Sequence, residues 1–321
     1  MANLNMKSKL IIFLIISFIS ISLNSNTMAG FIDTGQGARP IGLGRAYTAV
    51  ANDVHSIFYN PAGMININKL AISTMYARLY PGVAGEKLHY EMVAAVIPLS
   101  FIGNVGVALT NFNIDIYNEN AIYLSYGRQL PFNLAIGGNF KFLRWAAEGD
   151  VDPITGIRDK DFSNNSFSFD VGLMYQIPVP LIKKLAPSGR LQFGLMLSDI
   201  NQPNISENGS DNGKLPLALA FGVGFLSDNV LVAADLSRRD EFTKLHIGTE
   251  YLLHQVTMGS WNFAFHVRGG GIRVLNGRKG GELDLGFGLL VRNVLIDYVY
   301  VYPLALRDVN GSHKVSLSFQ F

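Results

Sequence analysis

Short stretches in which apolar and polar residues alternate make up most of this chain. The last stretch, 313–321, is a clear case, because a strand turns successive side chains to opposite faces. Its apolar face would carry Val315, Leu317, Phe319 and Phe321, and its polar face Lys314, Ser316, Ser318 and Gln320. The edge strand of a soluble sandwich alternates in the same way. A chain that ends in mid-strand on an exposed aromatic residue favours a membrane-spanning β-barrel, whose last strand shows one face to lipid.

The same alternation recurs along the chain and predicts an all-β fold, a transmembrane antiparallel β-barrel. The count is 14 strands, an even number as single-chain bacterial barrels have. Two segments depart from simple alternation: Gly138 is predicted to mark a bulge, and 215–226 is apolar on both faces, as expected if it packs against something in the lumen. The predicted strands are 69–80, 87–98, 103–112, 118–129, 132–146, 163–177, 188–201, 215–226, 229–238, 242–254, 260–272, 281–292, 294–303 and 312–321.

The connections between these strands differ in length, which predicts the side of the membrane that each one faces. Outer-membrane barrels have short periplasmic turns and longer external loops. Residues 148–165 and 201–214 are long and polar, and are predicted to be external. The segment 178–187 reads as a longer periplasmic turn. The short periplasmic turns are predicted at 100–104, 129–133, 227–229 and 292–293.

The N-terminus has the layout of a secretory signal peptide. Lys7 and Lys9 precede an apolar run over 10–23, and a small-x-small site at 27–29 follows. An N-terminal membrane anchor is the alternative, but a span needs about 20 apolar residues and this run is shorter. We therefore predict a signal peptide over 1–29, cleaved after Ala29, and a barrel over 67–321. The chain has no cysteine, which excludes disulfides and thiolate metal sites.

Composition agrees with a barrel. Hydrophobic residues make up 49% of the chain and charged residues only 16%, below the roughly 25% of soluble domains. No stretch after the leader is apolar for the length of a membrane helix. Alternating strands reconcile the two facts, because half of each strand can face lipid. Without the leader, 24 basic residues balance 24 acidic ones, which argues against a nucleic-acid partner.

Residues 30–66 do not follow a strand pattern. The segment is rich in glycine and alanine, whose small size lets backbones pack closely, and 46–51 is predicted to form a helical turn or two. Residues 60–63, Asn-Pro-Ala-Gly, have the chemistry of a turn. Two interpretations are open: an unstructured N-terminus, or a hatch that folds inside the barrel. We predict the hatch, over 30–66.

This segment resembles the N-terminal signature of the FadL-type outer-membrane proteins. In that signature a Gly- and Ala-rich stretch leads through paired polar residues to an aromatic pair and Asn-Pro-Ala-Gly. The compact length is more similar to the short PorV/PorQ-like members of the superfamily. The residues that carry the resemblance are Gly42, Gly44, Ala46, Ala49, Ala51, Asn52, Asp53, Phe58, Tyr59, Asn60, Pro61, Ala62 and Gly63.

The resemblance implies a hatch in the lumen and two alternative roles. FadL-type members carry hydrophobic compounds across the outer membrane, whereas PorV/PorQ-like members serve protein export and surface attachment in type IX secretion. The first role implies a channel for small hydrophobic molecules, which would leave sideways through a gap between strands. The external loops look too short for a large ligand-capture domain, which bears against fatty-acid uptake. The ligand or hatch residues implied by the signature are Phe58, Tyr59, Asn60, Pro61, Ala62 and Gly63.

Polar residues on the predicted lumen face are the other candidates for a site. They are expected to pair with one another inside a water-filled lumen, and none has the spacing of a catalytic set. Acidic residues over 150–161 resemble a calcium loop, but the closing glutamate of an EF-hand is missing. We therefore predict no enzymatic activity, no cofactor and no metal. The lumen residues are His246, Glu250, His266, Arg268 and Asp284.

These patterns together place the protein in the bacterial outer membrane. The predicted partners are outer-membrane lipid, the barrel-assembly machinery, a hydrophobic small molecule and components of a secretion system. Phe319 and Phe321 would form the signal that the assembly machinery reads.

Overall fold

The protein forms a closed antiparallel β-barrel whose lumen holds the N-terminal part of the chain. The structure is a computed structural model, and no helix that it describes is long and apolar enough to cross a membrane. The predicted signal peptide, the residues from 179 to 187 and most of the calcium-like loop lie outside the described residues. Those that the structure describes are 30–31, 34–81, 88–99, 101–149, 158–178, 188–207, 209, 213–259, 261–276, 280–305 and 310–321.

Fourteen strands build the barrel, as the alternation predicts. Each strand pairs with its neighbours in the sequence, and β1 pairs with β14 to close the cylinder. The strands are β1 Ala71–Arg78, β2 His89–Leu99, β3 Gly103–Ile114, β4 Tyr117–Gln129, β5 Leu134–Ala147, β6 Phe162–Pro178, β7 Arg190–Ser198, β8 Ala218–Leu226, β9 Val230–Arg239, β10 Phe242–Met258, β11 Trp261–Val274, β12 Gly281–Val291, β13 Val294–Pro303 and β14 Ser312–Gln320.

The predicted bulge at Gly138 is wrong. The ladders of β5 with β4 and with β6 run through this residue without a change of register. The even-numbered residues of β5 already share one face on both sides of Gly138, so no reset of the phase is needed. A register shift occurs instead in β10, between Leu252 and His254, where the strand continues to Met258.

The alternation sorts apolar side chains outward and polar ones inward. Leu285 is 68% exposed, whereas its neighbour Asp284 is 1% exposed and points into the barrel. Lys314 and Ser316 of β14 are likewise buried while Val315 is exposed. Stacked rings on the outer face, such as Phe140 with Phe167 at 5.5 Å between centroids, extend this apolar surface. The exposed apolar surface of an outer-membrane barrel is the surface that lipid covers.

The two ends of the barrel differ. β2–β3, β8–β9 and β12–β13 are joined by turns of two or three residues, and the chain end meets the start of β1 at this end, where the Phe321 N–H donates to the Leu70 carbonyl. The other end joins β5 to β6 through 148–161 and β7 to β8 through 199–217, the longest connections between strands, and it also has two-residue turns between β3 and β4 and between β9 and β10. We call these the short-turn end and the long-loop end. They match the periplasmic and external ends of known barrels.

Residues 34–66, which we call the hatch segment, lie in the lumen. They contain two short helices, α1 Ala38–Gly42 and α2 Ser56–Tyr59, and a 3₁₀-helix over Pro61–Asn66. The helical turn predicted over 46–51 is present as a single turn, in which the Val50 and Ala51 N–H groups both donate to the Tyr47 carbonyl three and four residues earlier. Most of the segment is buried, so its backbone needs partners from the barrel wall.

Candidate functional site in the barrel lumen

Glycines on the inner face of the wall allow the hatch segment to lie with its backbone directly against the strands. A Cβ atom at Gly137 would lie 2.3 Å from the Ala62 nitrogen, and one at Gly194 would lie 2.0 Å from the Thr48 oxygen. A Cβ atom at Gly248 would lie 2.1 Å from the Leu43 oxygen. Larger residues at these positions would push the hatch segment away from the wall. The small residues of the hatch segment are recognisable in the sequence, but the wall glycines that they contact were not predicted.

Asn60 is the side chain that fastens the Asn-Pro-Ala-Gly turn. Its Nδ2 donates to the Thr48 carbonyl at 2.8 Å and to the Leu173 carbonyl of β6 at 3.0 Å, while its Oδ1 accepts from the Ala62 N–H. The residue is fully buried. Pro61, Ala62 and Gly63 are buried beside it at the start of the 3₁₀-helix. The motif therefore closes the hatch segment and attaches it to the wall.

An ion-pair network attaches α1 to the opposite part of the wall. Arg39 forms two hydrogen bonds to the carboxylate of Glu250, each 2.9 Å long, and a third charged contact to Asp53 at 2.8 Å. Glu250 also accepts from Arg268, whose other nitrogen pairs with Asp297 at 2.6 Å. Buried charges of this kind are tolerated only when paired. Glu250 and Arg268, both predicted on the lumen face, are thus in direct contact in the structure.

Asp53 connects this network to the histidine of the hatch segment. Burial alone would raise the pKa of its carboxyl group, but His55, at 3.0 Å, and Arg39 outweigh this and lower the pKa well below the ordinary range. The other nitrogen of the His55 ring lies 3.1 Å from the Ser73 hydroxyl of β1. Asp53 is therefore a carboxylate at any physiological pH, and holds Arg39 and His55 in place.

The remaining predicted lumen residues have different surroundings. The ring of His246 lies 2.9 Å from the Gly44 carbonyl and 2.8 Å from the Ser237 hydroxyl. Asp284 is buried, and neither of its carboxylate oxygens has a hydrogen-bond partner among the residues that the structure describes. His266 is half-buried and lines a cavity of about 190 Å³ at the short-turn end together with Arg39 and Glu250. The five residues are thus spread over the lumen wall and do not form one cluster.

A larger cavity of about 550 Å³ occupies the long-loop end above the hatch segment, and we call it the vestibule. Phe58 and Tyr59 contribute to its floor, and the ring of Phe58 packs edge-on against Tyr123 at 5.1 Å. Its two walls differ in chemistry. The wall from β2 to β5 carries aromatic and apolar side chains, with Glu119 and Lys141 as its charged groups. The wall from β6 to β10 carries further charged side chains, including Asp170, Asp199, Asp235 and Lys244.

The connection between β7 and β8 folds inward over this vestibule. Leu215 and Ile205 are buried against Leu143, and the Trp145 indole N–H donates to the Ile205 carbonyl at 2.6 Å. Asp199 fixes the base of the connection through Lys141 at 2.6 Å and Arg239 at 2.5 Å. The described part of this connection therefore narrows the mouth of the barrel at the long-loop end.

The terminal aromatic residues lie at the short-turn end. Phe321 is 65% exposed and its ring stacks on that of Phe319 at 6.4 Å between centroids. The structure places them on the outer rim, and their role as an assembly signal stays a prediction. No group of three His, Asp or Glu side chains in the described part of the chain is arranged to hold a metal ion.

Known proteins with similar sequences indicate the family of this chain. A family model described as "Type IX secretion system membrane protein PorP/SprF" matches residues 54–319. The chain belongs to this family. The predicted similarity to outer-membrane barrels of type IX secretion agrees with this family, and the location is the bacterial outer membrane. No curated protein matches the chain.

Solved structures support the fold. The CymD monoaromatic hydrocarbon channel is 12% identical with a TM-score of 0.59, over 91% of this chain and 99% of that one. The Pseudomonas putida toluene transporter TodX is 11% identical with a TM-score of 0.59, over 89% and 99%. The Ralstonia pickettii toluene transporter TbuX is 12% identical with a TM-score of 0.53, over 91% and 100%. At identities this low, the similarity to these structures shows the fold alone.

Proposed function

We propose that this protein is a non-enzymatic, hatch-sealed component of type IX secretion that serves as an outer-membrane scaffold for protein export and surface attachment. The family supports a place in the secretion system. One structural observation supports a sealed scaffold over an open pore: the hatch segment is seated on the wall backbone. The vestibule and the cavity at the short-turn end have no lining residue in common.

The attachment of the hatch segment explains why the seal would be stable. Backbone contacts at Gly137, Gly194 and Gly248 lie on three different strands, and the Arg39 network adds a fourth. Displacing the segment would expose paired charges and a continuous buried core at the same time. Breaking one buried pair typically costs about 3–5 kcal/mol, and the contacts would have to break together.

Electrical recording separates a sealed scaffold from a pore. Purified wild-type protein in a planar bilayer is expected to show no steady conductance, while a variant lacking 34–66 is expected to conduct ions. In the native organism, deletion of the gene should abolish export of type IX substrates, and wild-type protein should co-purify with secretion components. Steady conductance by the wild type, or normal export after deletion, would contradict the scaffold.

The alternative is a channel for small hydrophobic molecules, and the aromatic wall of the vestibule supports it. Pockets of 300–1,000 Å³ with an apolar lining are typical of small-molecule sites. Every strand is hydrogen-bonded to both of its neighbours, so the wall has no gap along a whole strand. A molecule leaving sideways would therefore pass beyond the end of β7, where β6 continues and the inward-folded connection takes the place of β7. Uptake of toluene into liposomes by the wild type, lost on mutation of Phe58 and Tyr123 to serine, would favour this role.

A further inference from the structure

Glu119 is a buried carboxylate for which the described residues supply no basic partner. It lies on the inner face of β4 at the long-loop end and is 8% exposed. Its hydrogen bonds come from two neutral donors, the Phe31 N–H at 2.7 Å and the Tyr117 hydroxyl at 2.6 Å, and both reach Oε1. Its partners on the neighbouring strands are Phe112 and Trp145. A buried carboxylate normally has a cation beside it.

Gly30 lies directly against this carboxylate. A Cβ atom on Gly30 would lie 2.5 Å from Glu119 Oε1 and 2.7 Å from the Tyr117 hydroxyl, so the backbone of Gly30 is in contact with both groups. Phe31 anchors the neighbouring position by packing with Tyr123 and Trp145 in the apolar cluster under the inward-folded connection. Both residues line the vestibule.

These contacts become meaningful with the predicted cleavage after Ala29. Cleavage there would turn the nitrogen of Gly30 into a free α-amino group, which carries a positive charge at neutral pH because its ordinary pKa is near 7.7–8.0. We propose that Glu119 is the receptor for the processed N-terminus: its carboxylate binds the α-ammonium group of Gly30 at the outward-facing mouth of the lumen.

The pairing would link processing to the sealing of the lumen. An uncleaved leader would place an amide where the ammonium belongs, leaving Glu119 without a cation, and would have to leave through the mouth that the β7–β8 connection narrows. A charge-assisted hydrogen bond between buried groups is shorter and stronger than a neutral one. The N-terminal part of the chain in the lumen would therefore be held at two places, by the ammonium of Gly30 at the long-loop end and by Asn60 further along the chain.

The experiment measures the reactivity of the α-amine in folded, detergent-solubilised full-length protein. Mass spectrometry should first show that the mature chain begins at Gly30. An amine-reactive acetylating reagent at neutral pH should then modify the wild-type N-terminus about tenfold more slowly than in the urea-unfolded protein, because the paired amine stays protonated and shielded. Glu119→Gln should bring the rate to within about twofold of the unfolded value. Folding of each variant is checked by heat-modifiability on SDS gels.

Glu148→Gln is the matched control, because Glu148 lies at the same end of the barrel, is exposed and pairs with Arg158. It should leave the rate at the wild-type value. In intact cells, a membrane-impermeant form of the reagent should label the N-terminus of Glu119→Gln from outside. A mature chain that begins elsewhere, equal rates in the wild type with and without urea, or labelling of the variant only after cell lysis would each overturn the proposal.

Discussion

At the scale of single residues, close approach between backbones decides how the lumen is filled. Gly44 has a φ of +61°, and a Cβ atom there would lie 2.4 Å from the Gly271 nitrogen of β11. The residue satisfies two demands at once: a left-handed backbone conformation and contact with the wall without a side chain. Neither demand is visible in the alternation of apolar and polar residues, which describes faces and not distances.

Gly44→Ala is expected to destabilise the hatch segment by roughly 2–4 kcal/mol, because strain from the positive φ adds to overpacking against β11. Susceptibility of the segment to added protease in detergent, followed against urea concentration, measures the change. Gly259→Ala is the control, since Gly259 also has a positive φ but has no atom within 4 Å of the added Cβ. Equal effects of the two substitutions would show that packing against the wall contributes nothing.

The guanidinium of Arg39 allows a second residue-scale test. Arg39→Ala leaves Glu250 and Asp53 without a shared partner and is expected to cost about 3–5 kcal/mol of hatch stability in the same assay. Arg158→Ala breaks an exposed pair with Glu148 and is expected to cost less than about 1 kcal/mol. If Arg39→Ala cost no more than Arg158→Ala, the network would not be what retains the hatch segment.

At the scale of elements, the connection between β7 and β8 packs against the inner wall of the barrel through Ile205 and Leu215. The start of this connection is held by Asp199, which pairs with Lys141 and Arg239. Burial would raise the pKa of the Asp199 carboxyl group, but these two cations outweigh burial and lower the pKa to about 2. A carboxyl group with a lowered folded-state pKa stabilises the fold above its unfolded pKa, near 3.9, and this contribution disappears as the pH falls through about 2. The connection should therefore loosen between about pH 4 and pH 2.

Trp145 reports on this loosening, because its indole donates to the Ile205 carbonyl of the connection. In a Trp261→Phe background, which leaves Trp145 as the one tryptophan of the chain, its emission is expected to shift to the red over that pH range. Asp199→Asn removes the titrating group and should abolish the dependence, with emission already shifted at pH 7. Asp161→Asn, in an exposed pair with Arg158, should leave the pH profile unchanged.

At the scale of the whole molecule, the outer face must match the lipid around it. Leu285 lies midway along β12 and is exposed on this face. Leu285→Arg is expected to lower the free energy of unfolding in lipid vesicles by about 2–4 kcal/mol, as charges at the centre of a bilayer do. Leu275→Arg is the control, because Leu275 is also an exposed leucine, 51% exposed against 68% for Leu285, but lies just beyond β11. Equal losses for the two variants would place the membrane elsewhere on the barrel.

The sequence by itself determined the strands, their number and the face that each residue takes. These are local properties, because a period of two can be recognised within ten residues and lipid selects apolar side chains along the whole outer face. The Asn-Pro-Ala-Gly motif likewise predicted a turn, and it carried the resemblance to the FadL-type outer-membrane proteins. The failure at Gly138 came from judging backbone conformation at a residue where glycine leaves it open.

Only the tertiary structure decided what the inside of the barrel contains. The contact between Gly194 and Thr48, the pairing of Arg39 with Glu250 and the seating of Gly30 on Glu119 each join residues far apart in the chain. Such contacts depend on which strands lie opposite each other once the barrel closes, and no local pattern encodes that distance. The charge and size of each partner were present in the sequence, but the pairing between them required closure.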